Sequence, residues 1–176
     1  AYIMGEHGDS SFVPWNHANV GCKKMTEIMK DNKHPMSDLE KIYTEVQQAA
    51  YEIINRKKAT YYGIGLGLTK IIKAILNDQN EIMTVSTYLK GEYGHEGLYI
   101  GVPTIINRKG AREVLELPLE GDEKAKFDKS CETLMSMKGE IDKVITIVRT
   151  SLNKYIIEQS INKKDLFIDR IKSIFN

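Results

Sequence analysis

The chain has 176 residues, 41% of them hydrophobic, which is enough for one sizeable core and, on length, one domain. Its 25 basic and 24 acidic residues leave a net charge of +1, which excludes bulk electrostatic attraction to nucleic acid or an anionic membrane and leaves small-molecule or protein partners. Cys22 and Cys131 form no CxxC or metal-ligand pattern and read as free thiols of a reducing cytoplasm. No stretch has the length of a transmembrane span or the residue order of a signal peptide.

Ala1, where an initiator methionine would stand, leads straight into the apolar run Tyr2-Ile3-Met4, so the chain is expected to be a piece of a longer protein. Residues 1–5 read as a buried strand feeding the loop Gly5-Glu6-His7-Gly8-Asp9-Ser10, and Phe12, Val13 and Trp15 around Pro14 as a short extended piece. Ser37-Asp38-Leu39-Glu40 has capping-box spacing and opens a helix to about Lys57, with Leu39, Ile42, Val46, Ala49, Ala50 and Ile53 as its apolar positions. A second helix covers about Tyr62 to Leu76, with Ile64, Leu68, Ile71, Ile72 and Ile75 on one side. Ile82 to Leu89, Leu98 to Ile106 and Glu113 to Leu117 read as strands, and the short glycine-bearing links Gly91–Gly94 and Asn107–Gly110 make them an antiparallel meander. From about Asp122 the pattern returns to helix, with Asp122 and Glu123 at its positive end. The class is therefore α+β: long helices packed on an antiparallel sheet.

Gly63-Ile64-Gly65-Leu66-Gly67 imitates a nucleotide fingerprint, but it is GxGxG inside a helical pattern, and close packing of that helix on a neighbour is the better account. The histidines His7, His17, His34 and His95 contain no HExxH and no i, i+4 pair, so no metal site is expected. His7, Asp9 and Ser10 lie too close in sequence to aim at one another as a catalytic triad. Two readings of His7 stay open: a satisfied loop histidine, or a general acid/base at a strand end that takes its orienting carboxylate from elsewhere.

AYIMGEHGDSS with Pro14-Trp15, then Ala59-Thr60-Tyr61-Tyr62-Gly63-Ile64, then Tyr99-Ile100-Gly101-Val102-Pro103 with Asn107-Arg108-Lys109-Gly110, resembles NAD-dependent L-lactate dehydrogenases of the bacterial type, from Ala1 to about Lys138. Malate dehydrogenases share a related HGD segment, whereas GEH and ATYYGI favour the lactate branch. The resemblance implies the C-terminal, substrate-binding half of the lactate/malate dehydrogenase fold over residues 1–142, a helical extension over 143–176, and an N-terminal NAD-binding domain that lies ahead of Ala1. It implies His7 as the proton donor and acceptor between pyruvate and L-lactate, Thr60 beside the substrate carboxylate, and Ile64 against the nicotinamide of NAD. It further implies a homotetramer; the free thiols, the even charge balance and the histidine spacing add the expectation of a cytoplasmic protein with no metal, nucleic-acid or membrane partner. The orienting acid, the arginine that grips the substrate and the sugar-bisphosphate effector site would all draw on residues before Ala1.

Two departures stand out. Lys58 occupies a position often held by glycine in that family, which bears on the helix break before Thr60. The tail runs on past Ile141 to Asn176, with Val144, Ile147, Val148, Leu152, Tyr155 and Ile156, then Leu166, Ile168, Ile171, Ile174 and Phe175, at helical spacing. One or two amphipathic helices covering the domain or a neighbouring subunit are expected there, and mixed charge argues against a membrane-surface helix. The competing class is a non-enzymatic oligomerisation module that keeps the fold, distinguished by loss of site residues such as His7 and Thr60.

Overall fold

The first residues contribute bridge points rather than a strand. Met4 pairs with Phe12 through reciprocal backbone bonds of 2.8 and 3.0 Å, and Gly5 pairs with Gly101 through two bonds of 2.9 Å. The expected strand over residues 1–5 shrinks to these two points because Gly5, at φ +100°, turns the backbone out of extended pairing. After Pro14 the chain makes a 3-10 turn, Trp15–His17, where an extended piece was expected. A hairpin of two short strands, β1 (Asn19–Val20) with β2 (Lys23–Lys24), and a short helix α1 (Met25–Asp31) follow, neither of them expected above.

Helix α2 (Met36–Lys57) begins ahead of the proposed capping box. Pro35 is its N-cap and no side chain caps it, so Ser37 sits inside the first turn and not at its edge. It closes where the pattern said, with Lys58 in the left-handed region at φ 61° and its N–H donating to the Ile54 carbonyl at 2.7 Å. That is the conformation glycine adopts most cheaply, so lysine here keeps the glycine-type break at some backbone strain.

Helix α3 (Tyr62–Leu76) follows, but its glycines do not pack on a neighbour: a Cβ at Gly63, Gly65 or Gly67 would meet open space. The packing expected there fails because, among the described residues, nothing covers that part of the helix. Strands β3 (Glu81–Lys90), β4 (Glu96–Asn107) and β5 (Gly110–Val114) form the antiparallel meander, with Val85 opposite Val102. The last strand starts three residues earlier than expected, directly from the turn at Arg108-Lys109, and ends at Val114, short of Leu117. A 3-10 turn, Glu92–Gly94, links β3 to β4, with Tyr93 at φ 56°.

The structure, a computed structural model, describes residues 1–175, with side chains for residues 1–154. Its contacts divide into two units, Ala1–Leu134 and Met135–Asn176. In the first unit, Met4, Phe12, Leu89, Tyr93, Leu98, Ile100, Val102, Phe127 and Cys131 form one buried cluster. Ala74, Met83 and Ile106, with Ile71 and Ile75 of α3, form a second. Phe127 and Cys131 belong to α4 (Gly121–Phe175), one helix that runs on past Ile141, where the domain helix was expected to finish ahead of one or two further amphipathic helices. In the second unit, Ile141, Val144, Ile145, Ile147, Val148 and Leu152 are exposed; the side chains of Tyr155, Ile156, Leu166, Ile168, Ile171, Ile174 and Phe175 lie outside the described residues. Among the described residues no helix is long and apolar enough to cross a membrane.

Candidate functional site

The loop around His7 is fixed from both sides. Ahead of it, the Gly5–Gly101 pair locks the backbone to β4, and no larger residue fits there: a Cβ on Gly101 would lie 2.8 Å from the Gly5 carbonyl, and one on Gly5 would lie 2.6 Å from Ser130 Oγ. The Glu6 N–H donates to Ser130 Oγ at 2.6 Å, Ser130 Oγ lies 3.1 Å from Ser10 Oγ, and the Ser10 hydroxyl donates to the Glu6 carboxylate. Behind it, helix α2 braces the loop. Tyr51 donates to Asp9 Oδ1 at 2.8 Å, which holds the phenol's pKa above its ordinary value, and Tyr43 Oη lies 2.7 Å from Ser11 Oγ. Burial pushes the Tyr43 phenol up further than its bond with Ser11 pulls it down.

His7 itself is exposed, and its ring has no hydrogen-bond or ion-pair partner among the described residues. The other three histidines all face a carboxylate. His17 Nε2 is 3.8 Å from Glu123, His34 Nδ1 is 3.3 Å from Asp38, and His95 Nε2 is 2.6 Å from Asp128. His7 instead lines an open cleft of about 870 Å³ with Gly67, Lys70 and Ile71 of α3, Thr84 and Ser86 of β3, and Tyr99 of β4. It is an imidazole ring fixed by its backbone alone and free at both nitrogens, on a cleft whose walls carry Lys70, Glu6, five hydroxyl-bearing residues and apolar side chains. Such a group can give a proton to, or take one from, a small polar guest. The triad geometry is absent, since Ser10 is bonded to Glu6 and Asp9 to Tyr51. No group of three or more His, Cys, Asp or Glu residues among those described could hold a metal ion.

Thr60 and Ile64 do not line that cleft. Thr60 is half-buried at the junction between α2 and α3, and Ile64 stands 57% exposed on the first turn of α3. The chain thus carries His7 and these two residues on neighbouring elements without bringing them into one enclosed pocket.

Ser130 was not foreseen from the sequence. Its only signal is a small hydroxyl residue on the helical face that otherwise reads Phe127, Cys131 and Leu134, and that signal names no partner. Cys131 beside it is a free thiol, buried, with its pKa pushed up to about 12 chiefly by burial, which makes it inert rather than nucleophilic.

The α+β fold, with its histidine loop pinned to a three-stranded meander, matches one family. Residues 1–146 match the lactate/malate dehydrogenase, alpha/beta C-terminal domain, and the chain belongs to that family. Two of the relatives that it resembles are L-lactate dehydrogenases. It is 53% identical over 135 residues to L-lactate dehydrogenase 1 of Bacillus cereus (strain ATCC 10987 / NRS 248), covering 76% of this chain and 43% of the relative. The solved minor L-lactate dehydrogenase from Enterococcus mundtii, in its ligands-bound form, is 48% identical with a TM-score of 0.73, covering 77% of this chain and 43% of that one. Malate dehydrogenase from Salinibacter ruber is as similar in fold, TM-score 0.72, but only 29% identical, with 81% of this chain and 45% of that one covered. The chain spans less than half the length of the curated relatives that it matches.

Proposed function

We propose that the chain is the substrate-binding half of an NAD-dependent L-lactate dehydrogenase, interconverting pyruvate and L-lactate when joined to an NAD-binding half. The observation that carries this reading is His7: the one histidine without a carboxylate partner among the described residues, on a rigidly held loop, facing an open cleft. As imidazolium, His7 protonates the carbonyl oxygen of pyruvate and polarises it beforehand; as neutral imidazole it takes the hydroxyl proton of lactate. On the same reading Thr60, which lies outside the cleft of the chain alone, meets the substrate carboxylate in the site that the NAD-binding half completes. Bound NADH supplies the hydride.

The residues at hand suit only one end of that cofactor. Ile64, exposed between Tyr62 and Leu66, offers an aliphatic surface for a flat heteroaromatic ring. The glycine run at residues 63–67 lies inside a helix and not between a strand and a helix, so the phosphates are held by the other half. On this reading residues 1–142 are the domain and 143–176 an extension of it, and the enzyme is a cytoplasmic homotetramer.

The test joins the chain to the cofactor-binding half of an L-lactate dehydrogenase and follows NADH oxidation with pyruvate. His7→Gln is expected to lower turnover by about 10²- to 10⁴-fold, the range for a positioned general acid/base. The 176-residue chain alone is expected to be inactive. Unchanged turnover in His7→Gln overturns the role of His7, and a higher kcat/KM on oxaloacetate than on pyruvate moves the assignment to malate.

A further inference from the structure

We propose that Ser130 is a positioning residue for His7, acting through a closed ring of hydrogen bonds; this deepens the dehydrogenase reading and rests on it.

The direction of each bond follows from counting protons. The Ser10 hydroxyl has one proton and gives it to the Glu6 carboxylate, which has none to return when ionised. The 3.1 Å contact between Ser130 Oγ and Ser10 Oγ must therefore be donated by Ser130. The lone pairs that remain on Ser130 Oγ accept the Glu6 N–H at 2.6 Å. The ring thus runs from the Glu6 backbone to Ser130, on to Ser10, and back to the Glu6 carboxylate, and each hydroxyl in it both donates and accepts. Bonds that end on a charged acceptor are stronger than neutral ones.

The ring joins the residue before His7 to the third residue after it, and ties both to one point on α4 that is 0% exposed. Nothing else described holds the His7 side chain. Its ring position is therefore set by the backbone torsions of Glu6 and Gly8, which the ring and the Gly5–Gly101 pair restrain. Gly5 belongs to the same arrangement, since any Cβ there would collide with Ser130 Oγ at 2.6 Å. A hydroxyl is also what this place requires: without it, the Glu6 N–H and the Ser10 hydroxyl lose their buried partner.

The experiment uses the complete two-half dehydrogenase with Ser130→Ala, Ser130→Thr, Ser10→Ala and His7→Gln, each checked for thermal unfolding. A loop released by a fraction of an ångström to about 1 Å is expected to cost about ten- to a hundredfold in kcat, with the KM for NADH unchanged. Ser10→Ala, at a half-buried surface position with little risk to folding, is expected to give part of that loss. Ser130→Thr, which keeps the hydroxyl, is expected to restore kcat relative to Ser130→Ala. If Ser130→Ala and Ser10→Ala keep full kcat while His7→Gln loses it, the positioning role is overturned and the dehydrogenase reading stands. If Ser130→Ala only lowers the melting temperature, or if Thr rescues nothing, Ser130 is a packing residue and the proposal fails. Full turnover in His7→Gln removes the underlying reading instead.

Discussion

Two regions of the chain carry large apolar side chains with opposite exposure. Under the sheet, Phe127 is 0% exposed and makes ring contacts with Tyr93 at 4.6 Å, His95 at 5.9 Å and Phe12 at 6.5 Å. Along α3, Tyr62 is 81% exposed and Leu66 is 74% exposed, and along α2 Ile42, Val46 and Ile53 are also in the open. The first region is a core that the chain completes by itself. The second is the surface of an element whose covering is not in the described chain, since soluble proteins rarely leave so much contiguous apolar surface bare. The histidine loop belongs to the first region, which is why it can be rigid here, whereas Thr60 and Ile64 belong to the second.

The largest expected effect breaks the closed region. Phe127→Ala removes a ring at the centre of the cluster and is expected to destabilise the chain by about 3–5 kcal/mol in chemical denaturation. Leu66→Ala, a change of the same kind in the open region, is expected to stay within about 0.5 kcal/mol. Equal losses at both sites would erase the distinction between the regions.

Legibility from the sequence followed the same division. The C-terminal end of α2, both ends of α3 and the order of the three strands were readable because apolar periodicity and glycine turns are local signals. Which apolar positions are buried was not. Leu39 of α2 and Ile71 and Ile75 of α3 do pack inward, yet Ile42, Val46, Ile64 and Ile72 share their periodicity and stay exposed, because burial depends on what lies opposite. His7 was legible as a histidine between glycines. Its support was not, since the bond from Glu6 to Ser130 spans 124 residues and a serine on an apolar helix face announces no such contact. The β1–β2 hairpin was missed because Lys23 and Lys24 carry no strand pattern, and the capping box because Pro35 starts the helix first.

A smaller effect sharpens the open side of the comparison. At micromolar concentration the chain is expected to scatter light as a dimer or larger, because the faces of α2 and α3 find a second copy when no other domain covers them. Leu66→Ser with Ile72→Ser is expected to lower that mass while leaving the unfolding midpoint in place. Ending the chain at Lys143 separates two sources of association. A mass per chain count that stays the same assigns it to α2 and α3, whereas a fall to monomer assigns it to the exposed stripe of Ile145, Val148 and Leu152. A monomer from the intact chain would mean that the open region is no interface at all.

The smallest expected effect lies at the rim of the closed region, where Asp128 of α4 holds the turn between β3 and β4. It accepts from His95 at 2.6 Å and from Lys124. Burial alone would raise its pKa, but the bonds from Lys124 and His95 outweigh burial and hold the carboxyl below its ordinary value. A carboxylate whose pKa is lowered by folding stabilises the fold above its unfolded pKa, near 3.9, and loses that contribution as the pH falls through the lower folded value. Both side chains are partly exposed, 26% and 36%, so solvent screening keeps the gain small. Asp128→Asn is therefore expected to lose no more than about 1 kcal/mol at neutral pH, and the gap to the parent chain is expected to narrow steadily below about pH 4. Urea denaturation of both chains across that range decides the matter: a gap that stays constant into acid would mean that the Asp128 side chain holds the turn by packing, and not by its charge.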